Sequence, residues 1–273
     1  MKRALVALTL AVSAVAHADP DAARATIVLA HFTAQVKAIG ANDFGALEKT
    51  LTKDALVTFK GQDPTRAADA EWDFPDPEQA SIVKSRVGWA GTWGWVAADV
   101  EITTRWYAEP AGAGDPHPQP ETHVYHWLSL VVADGAGVKT RALFVDQVTA
   151  DKDLSSMTRA APATAGPIAT LATHPADLAA KLAADAAVSV FGNGASDEAF
   201  GRAASLKLLA SWKKLTVAVT GTPIEETSGD LGFAFATLEL DHKGQPDPLV
   251  LRALVIARKT GDGWNPVAVE YGF

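Results

Sequence analysis

The sequence predicts an α+β protein in which one domain is present twice. Three observations carry that expectation. Each half of the chain opens on residues with helical apolar spacing and continues as runs of alternating apolar and polar residues, the order of an α+β domain with helices on one face of a bent antiparallel sheet. Short motifs recur in the same order in both halves. Between the halves, residues 151–176 are rich in Ala, Thr, Ser and Pro and show little apolar periodicity, which is linker composition.

The repeat is read from three matches. Lys53-Asp54-Ala55-Leu56-Val57-Thr58 resembles Ala184-Asp185-Ala186-Ala187-Val188-Ser189 at an offset of 131, with Leu47 on Leu178 and Leu51 on Leu182. The run from Gly94 to Ile102 resembles the run from Gly232 to Leu240 at an offset of 138. Val124, Leu128 and Leu130 followed by Gly135 and Gly137 match Val250, Leu254 and Ile256 followed by Gly261 and Gly263 at an offset of 126. Offsets that drift by a few residues are what loop insertions produce.

In the first copy, Ile27, Ala30, Phe32, Val36 and Ile39 define a helix that Gly40 stops. Asp43 caps a second helix reaching about Leu51. A strand is expected at Ala55–Phe59, then a polar stretch over 61–79, then strands at Ile82–Trp89, Trp93–Trp106, Thr122–Ala133 and Val138–Val148. In the second copy the expected elements are a helix at Asp177–Ala184, a strand at Ala187–Phe191, a helix at Ala199–Lys213, and strands at Leu215–Thr220, Phe233–Asp241, Leu249–Arg258 and Trp264–Tyr271. Its opening helix is short or absent, because Pro167 and Pro175 interrupt that region.

The first residues read as an export signal. Lys2 and Arg3 precede an apolar run from Ala4 to Val15, and Ala16-His17-Ala18 offers small residues where a signal peptidase cuts. The run is short for a bilayer span, so cleavage after Ala18 and a periplasmic or extracellular location are expected, with no membrane insertion afterwards. The remaining chain carries 22 basic residues against 32 acidic ones, a net charge of −10, which argues against nucleic acid and anionic lipid as partners. The chain has no cysteine, so thiol chemistry, iron–sulfur clusters and Cys-type zinc sites are excluded. An exported chain without disulfides must hold itself together by apolar burial, and 48% apolar residues suffice for that.

The order helix, Asn42-Asp43-Phe44, helix, Asp54-Ala55-x-Val57, meander, Gly-x-Gly turn and last strand resembles the ketosteroid-isomerase and SnoaL-like superfamily, also called nuclear-transport-factor-2-like. The closing run Lys259-Thr260-Gly261-Asp262-Gly263-Trp264 is similar to the last hairpin of that family. The resemblance implies two tandem cone-shaped domains, each a curved antiparallel sheet wrapped around N-terminal helices. It also implies dimer-like packing of sheet on sheet, hence an internal pseudo-dimer. It does not imply one function, since the superfamily holds isomerases, cyclases, dehydratases and non-catalytic proteins. Its isomerases use an Asp base with a Tyr and a protonated Asp as oxyanion hole. The positions that match the base hold Thr58 or Phe59 and Ser189 or Val190, those near the Tyr hold Ala34 and Gln35, and those near the acid hold Ser129 and Val255. Isomerase chemistry is therefore not expected, and no cofactor is implied. Asp54 and Asp185, present in both copies, are expected as cap or turn residues.

Six of the eight tryptophans lie in the first copy. On the strand from Trp93, alternation puts Trp93, Trp95, Ala97, Asp99 and Glu101 on one face and Gly94, Val96, Ala98, Val100 and Ile102 on the other. The second copy repeats this with Phe233, Phe235, Thr237 and Glu239 against Ala234, Ala236, Leu238 and Leu240. A sheet apolar on both faces must be covered on both, so the aromatic rows are expected to pack the copies together; the competing reading is an aromatic-lined pocket in the first copy. The candidate ligand-binding residues are Trp93, Trp95, Asp99, Glu101, Tyr125 and Trp127. His117, His123 and His126 are metal-ligand types, but His123 and His126 fall on opposite faces of one strand, so a proline-stiffened loop is favoured and no metal site is expected.

The organisation expected is thus a signal peptide at 1–18, a first domain at 19–150, a linker at 151–176 and a second domain at 177–273. The expected function is non-catalytic binding of a small apolar or aromatic ligand in the first domain, or of an envelope protein. The alternatives are an isomerase- or cyclase-type enzyme with a non-standard site, and a structural or assembly component of the cell envelope.

Overall fold

The computed structural model describes residues 20–59, 62–70, 72, 76–105, 120–148, 164–185, 187–192, 194, 196–212, 215, 217–240, 249–261 and 263–272. The expected signal peptide, His117 and the first half of the expected linker (151–163) lie outside the described residues.

Helix α1 (Pro20–Gly40) buries Val28, Phe32, Gln35, Val36 and Ile39, a stripe at three- and four-residue spacing. Ala30, expected on that stripe, is exposed. Asp43 caps α2 (Phe44–Lys49) by accepting from the Ala46 N–H at 2.9 Å, as expected. The strands of the first domain are β1 (Leu51–Phe59), β2 (Thr65–Arg66), β3 (Pro77–Ala90), β4 (Trp93–Arg105), β5 (Pro120–Asp134) and β6 (Gly137–Gln147), paired in the order β2-β1-β6-β5-β4-β3. The second domain has a 3-10 turn at Ala169–Ala172 and α3 (Pro175–Lys181), then β7 (Ser189–Phe191), β8 (Glu198–Phe200) and α4 (Arg202–Ser211). It closes with β9 (Val217–Ser228), β10 (Leu231–Leu240), β11 (Leu249–Thr260) and β12 (Gly263–Gly272), and its sheet order is β8-β7-β12-β11-β10-β9. The two sheets therefore have one topology, strand for strand.

Several expectations need correction. Both sheets are mixed rather than antiparallel, because β1 runs parallel to β6 and β7 parallel to β12. Side chains alternate with period two whichever way a neighbour runs, so the apolar pattern carries no sign of strand direction. The expected helix from Ala199 begins only at Arg202, since Glu198–Phe200 pairs with β7 and Gly201 breaks the chain at φ 89°. Strand β9 continues past Thr220 to Ser228 through Gly221 and Pro223, and β3 starts at Pro77. Both are edge strands, where the missing proline N–H costs no ladder bond. Ile168, Ala169, Leu171 and Ala172, from the stretch read as linker, are buried in the second core.

Three apolar layers result. Inside the first sheet, α1 packs on Val96, Val100, Ile102, Tyr125 and Trp127, with Phe32 edge-on to Trp127 at 5.6 Å. Inside the second, Ile168, Leu171, Leu178 and Leu209 pack on Val190, Val255 and Val269. Between the sheets lies the third layer: Trp93, Trp95, Leu128, Leu130 and Phe144 from the first domain meet Phe191, Phe233, Phe235, Leu254 and Ile256 from the second. Trp93 and Phe233 approach to 6.1 Å between ring centroids. The alternation along β4 and β10 sorts Trp93, Trp95, Ala97, Phe233 and Phe235 to the seam and Val96, Ala98, Val100, Ile102, Ala234, Ala236, Leu238 and Leu240 to the inner cores as expected, and the two domains pack as an internal pseudo-dimer.

Ion pairs tie the edges of this seam. Arg141 makes a two-point contact with Glu226 of the second domain and also pairs with the Asp54 carboxylate at 3.3 Å. Arg252 reaches Asp63 of the first domain at 2.8 Å. Asp185 acts as the expected turn residue, accepting from the Ala187 N–H at 2.7 Å. Asp54 departs from that expectation: it lies within β1 and serves the Arg141 pair.

Gly88 stands opposite Trp95 across β3 and β4, and a methyl group there would collide with the Trp95 indole. Because Trp95 is fully buried between the sheets, the ring cannot move aside. Gly88→Ala is expected to lower stability by about 1–3 kcal/mol, read as a fall in thermal melting temperature.

Candidate functional site

Two polar sites are built into apolar surroundings. The first lies in the seam. The register of β4, β5 and β6 sets Asp99 beside His126 and His126 beside Asp146, all on the face turned to the second domain. Glu198 of β8 and Glu270 of β12 come to the same place from the other sheet. Asp99, His126, Asp146 and Glu270 are buried, and Glu198 is about one-third exposed.

His126 is fixed from two sides. Its Nδ1–H donates to the Gly192 carbonyl at 2.9 Å, and its ring stacks on Phe191 at 4.7 Å. A carbonyl only accepts, so the remaining nitrogen, Nε2, carries the lone pair of the neutral ring. That atom lies 3.7 Å from the nearer Asp99 oxygen, too far for a hydrogen bond. Lys84 Nζ sits 3.6 Å from Glu198 and 4.1 Å over the Phe200 ring. A side chain at Gly272 would meet the Asp146 carboxylate at 2.5 Å, so the glycine is what allows Asp146 to lie against β12.

Burial dominates the electrostatics. It pushes the Asp99 carboxyl up to about 8, reinforced by the hydrogen bond to Glu198 and the charge of that neighbour. Glu198 is held below its ordinary value, first by the hydrogen bond from Asp99. Asp99 and Glu198 thus share one proton, which resides on Asp99. Burial, with Asp146 and Asp99 close by, raises Glu270 well above the carboxylate range. Burial lowers His126 to about 4, against the partly offsetting bond to Gly192. An imidazole and two carboxylates, from Asp99, His126 and Glu198, have donor atoms within 4.8 Å of one another, a donor set suited to a first-row divalent ion.

The second site is inside the first cone. Gln35 donates to Thr50 at 2.8 Å and to Thr140 at 3.0 Å, and His31 shares Thr140 at 3.1 Å. Burial lowers His31 to about 4. Around that network, Gln35 Oε1, Thr104 Oγ1, Trp127 Nε1 and Ser129 Oγ are buried without a hydrogen-bond partner, as is Nε1 of Trp72, which packs against this core. A buried polar atom without a partner costs about 1–3 kcal/mol, so five around one cone is a feature to explain.

The six candidate ligand-binding residues do not converge. Trp93 and Trp95 belong to the seam layer, while Tyr125 and Trp127 face the first cone. Asp99 joins the seam cluster, and Glu101 is exposed at the strand end. His123 and His126 do point to opposite faces: His126 is buried, and His123 pairs with Glu121 at 3.3 Å. Lys84, Asp146, Glu198 and Glu270 were not singled out by sequence. The signal for Glu270 was present: it is the one acid in the apolar strand Val267-Ala268-Val269-Glu270-Tyr271.

No protein-family model matches the chain, and no curated protein does. The chain is similar to several solved structures. A ketosteroid isomerase-like protein from Erwinia carotovora is 16% identical, with a TM-score of 0.37, over 46% of this chain and 97% of its own. An NTF2-like protein from Cytophaga hutchinsonii is 16% identical, with a TM-score of 0.35, over 45% of this chain and 97% of its own. The hexachlorocyclohexane dehydrochlorinase LinA-type3 from Novosphingobium barchaimii is 13% identical, with a TM-score of 0.37, over 46% of this chain and 86% of its own. On strand order and helix placement, the chain carries the NTF2-like, ketosteroid-isomerase-like fold twice.

The seam carboxyls give the protein a pH signature. Asp99 keeps its proton in the folded chain up to about pH 8, whereas the unfolded carboxyl loses it near 3.8, so stability falls as pH rises between those values. His126 and His31, held near 4 against 6.5 when unfolded, act oppositely but only below about pH 6.5. Melting temperature in chelator-treated protein is therefore expected to fall from pH 6.5 to 8, and Asp99→Asn is expected to flatten that slope.

Proposed function

We propose that the chain is an exported, non-catalytic binding protein whose first domain takes a small, mostly apolar molecule bearing one or two oxygen atoms. The observation that carries this reading is the set of unpartnered polar atoms around the first cone: the indole N–H groups of Trp72 and Trp127, the hydroxyls of Thr104 and Ser129, and Gln35 Oε1. Donors fixed among Phe32, Phe59, Tyr125 and Trp127 suit a carbonyl or hydroxyl on a hydrophobic ligand. The second cone is packed around Ile168, Leu171, Leu178 and Leu209 and serves as the structural partner.

The distribution of acids supports binding over turnover. Thr58, Phe59 and Ser129 of the first copy and Ser189, Val190 and Val255 of the second stand where the resembled isomerases keep a base or an acid, and all are buried as neutral side chains. The buried acids Asp99, Asp146 and Glu270 lie in the seam, on the faces opposite to Phe59, Ser129, Val190 and Val255. Export is supported by Lys2, Arg3, the apolar run and Ala16-His17-Ala18.

The test is a thermal-shift screen against steroids, polyketides and small aromatic ketones, with tryptophan fluorescence as second readout. A carbonyl-bearing ligand is expected to raise the melting temperature and shift the emission, with no chemical change in the recovered ligand. Trp72→Phe, which keeps an aromatic ring but removes the pyrrole part with its N–H, is expected to weaken that ligand by at least about 0.5–1.5 kcal/mol, or about 2- to 12-fold. Silence across the screen, or conversion of the ligand, would overturn the reading.

A further inference from the structure

We propose that Asp99, His126 and Glu198 form a binding site for one divalent first-row cation, of the Zn2+ or Mn2+ class, at the junction of the two domains. This goes beyond the small-molecule reading and does not depend on it.

The donor atoms are already in place, and an ion bound there would displace the proton that Asp99 shares with Glu198. A ring nitrogen of His126, a carboxylate oxygen of Asp99 and one of Glu198 lie within 4.8 Å of one another. Two ligands on one tetrahedral zinc ion stand about 3.3 Å apart, given metal–ligand bonds near 2 Å, so the 3.7 Å between His126 Nε2 and Asp99 needs little contraction. The imidazole is oriented as metal-binding histidines are. Its other nitrogen donates to a backbone carbonyl, that of Gly192, which fixes the ring and leaves Nε2 free to coordinate. Asp99 Oδ1, the atom nearest Nε2, is buried and accepts no hydrogen bond.

An independent observation points to the same ligand. Glu270 is fully buried beside Asp99 and Asp146, and neither of its carboxylate oxygens has a hydrogen-bond partner. It pairs across β12 with Phe191, the residue on which His126 stacks, so the orphaned carboxylate stands next to the three donors. Four carboxyl groups, from Asp99, Asp146, Glu198 and Glu270, are drawn together around one imidazole. Lys84 lies 3.6 Å from the outer acid, Glu198. A bound divalent ion would give the orphaned Glu270 carboxylate a counter-charge nearby, and the mixed nitrogen and oxygen donors of the site favour zinc or manganese over calcium. Asp99 and His126 belong to the first domain and Glu198 to the second, so the ion would also clamp the seam.

The test uses the whole chain after chelation, titrated with Zn2+, Mn2+ and, as a spectroscopic probe, Co2+. One equivalent per chain is expected, with a rise in melting temperature, a visible Co2+ absorption band, and a shift of one buried histidine's ring resonances in wild-type protein. Glu198→Gln alters a partly exposed side chain on a short edge strand, so it should keep the fold by circular dichroism. It is expected to lose at least about tenfold in affinity, and His126→Gln more. Absence of saturable binding to wild-type protein, or binding that survives Glu198→Gln and is lost in His123→Ala, would overturn the proposal.

Discussion

Each sheet of this protein is apolar on both faces, and neither face can be left in water. The inner faces are covered by helices of the same domain. The outer faces, with Trp93, Trp95 and Phe144 on one sheet and Phe191, Phe233 and Phe235 on the other, have only each other. Each such side chain withdrawn from water contributes about 1.5–3 kcal/mol, so the seam is a core in its own right. A single chain makes the pairing intramolecular, and the domains meet at a high effective concentration whatever the protein concentration.

Close packing at the seam constrains the residues around it. Gly88 is small because Trp95 lies over it, and Gly272 is small because Asp146 lies against it. On the inner faces, Gly94 and Gly232, equivalent positions of the two copies, leave room for Trp89 and Ile168. The duplication thus preserves spaces as well as side chains.

The two halves have diverged most where the seam is polar. His126 corresponds by the repeat offset to Arg252, and Asp99 to Thr237. The first copy contributes a row of acid, imidazole and acid; the second contributes Glu198 and Glu270 from strands that have no such row. Fused domains are free to differ in this way, because a mutation on one face is not repeated by symmetry on the other. The polar cluster is costly in an apolar layer, which is why Asp99 and Glu270 hold their protons and the imidazole stays neutral.

The sequence alone determined the long elements, the duplication and the sorting of apolar residues between layers. Alternation along Trp93–Ile102 and Phe233–Leu240 settles which side chains face the seam, because strand geometry is local and has period two. It did not determine that β1 runs parallel to β6, that Glu198–Phe200 pairs as a strand before α4, or that Ile168 belongs to the second core; these depend on partners far along the chain. The aromatic candidates divided between seam and cone for the same reason: Trp95 and Trp127 are alike in composition and differ in face. Only the tertiary structure brought Glu198 and Glu270 to Asp99 and His126, since the contact joins residues roughly 70 to 170 positions apart. No local pattern encodes such a meeting. It is fixed by the apposition of two sheets, which places polar groups from separate strands in one buried layer.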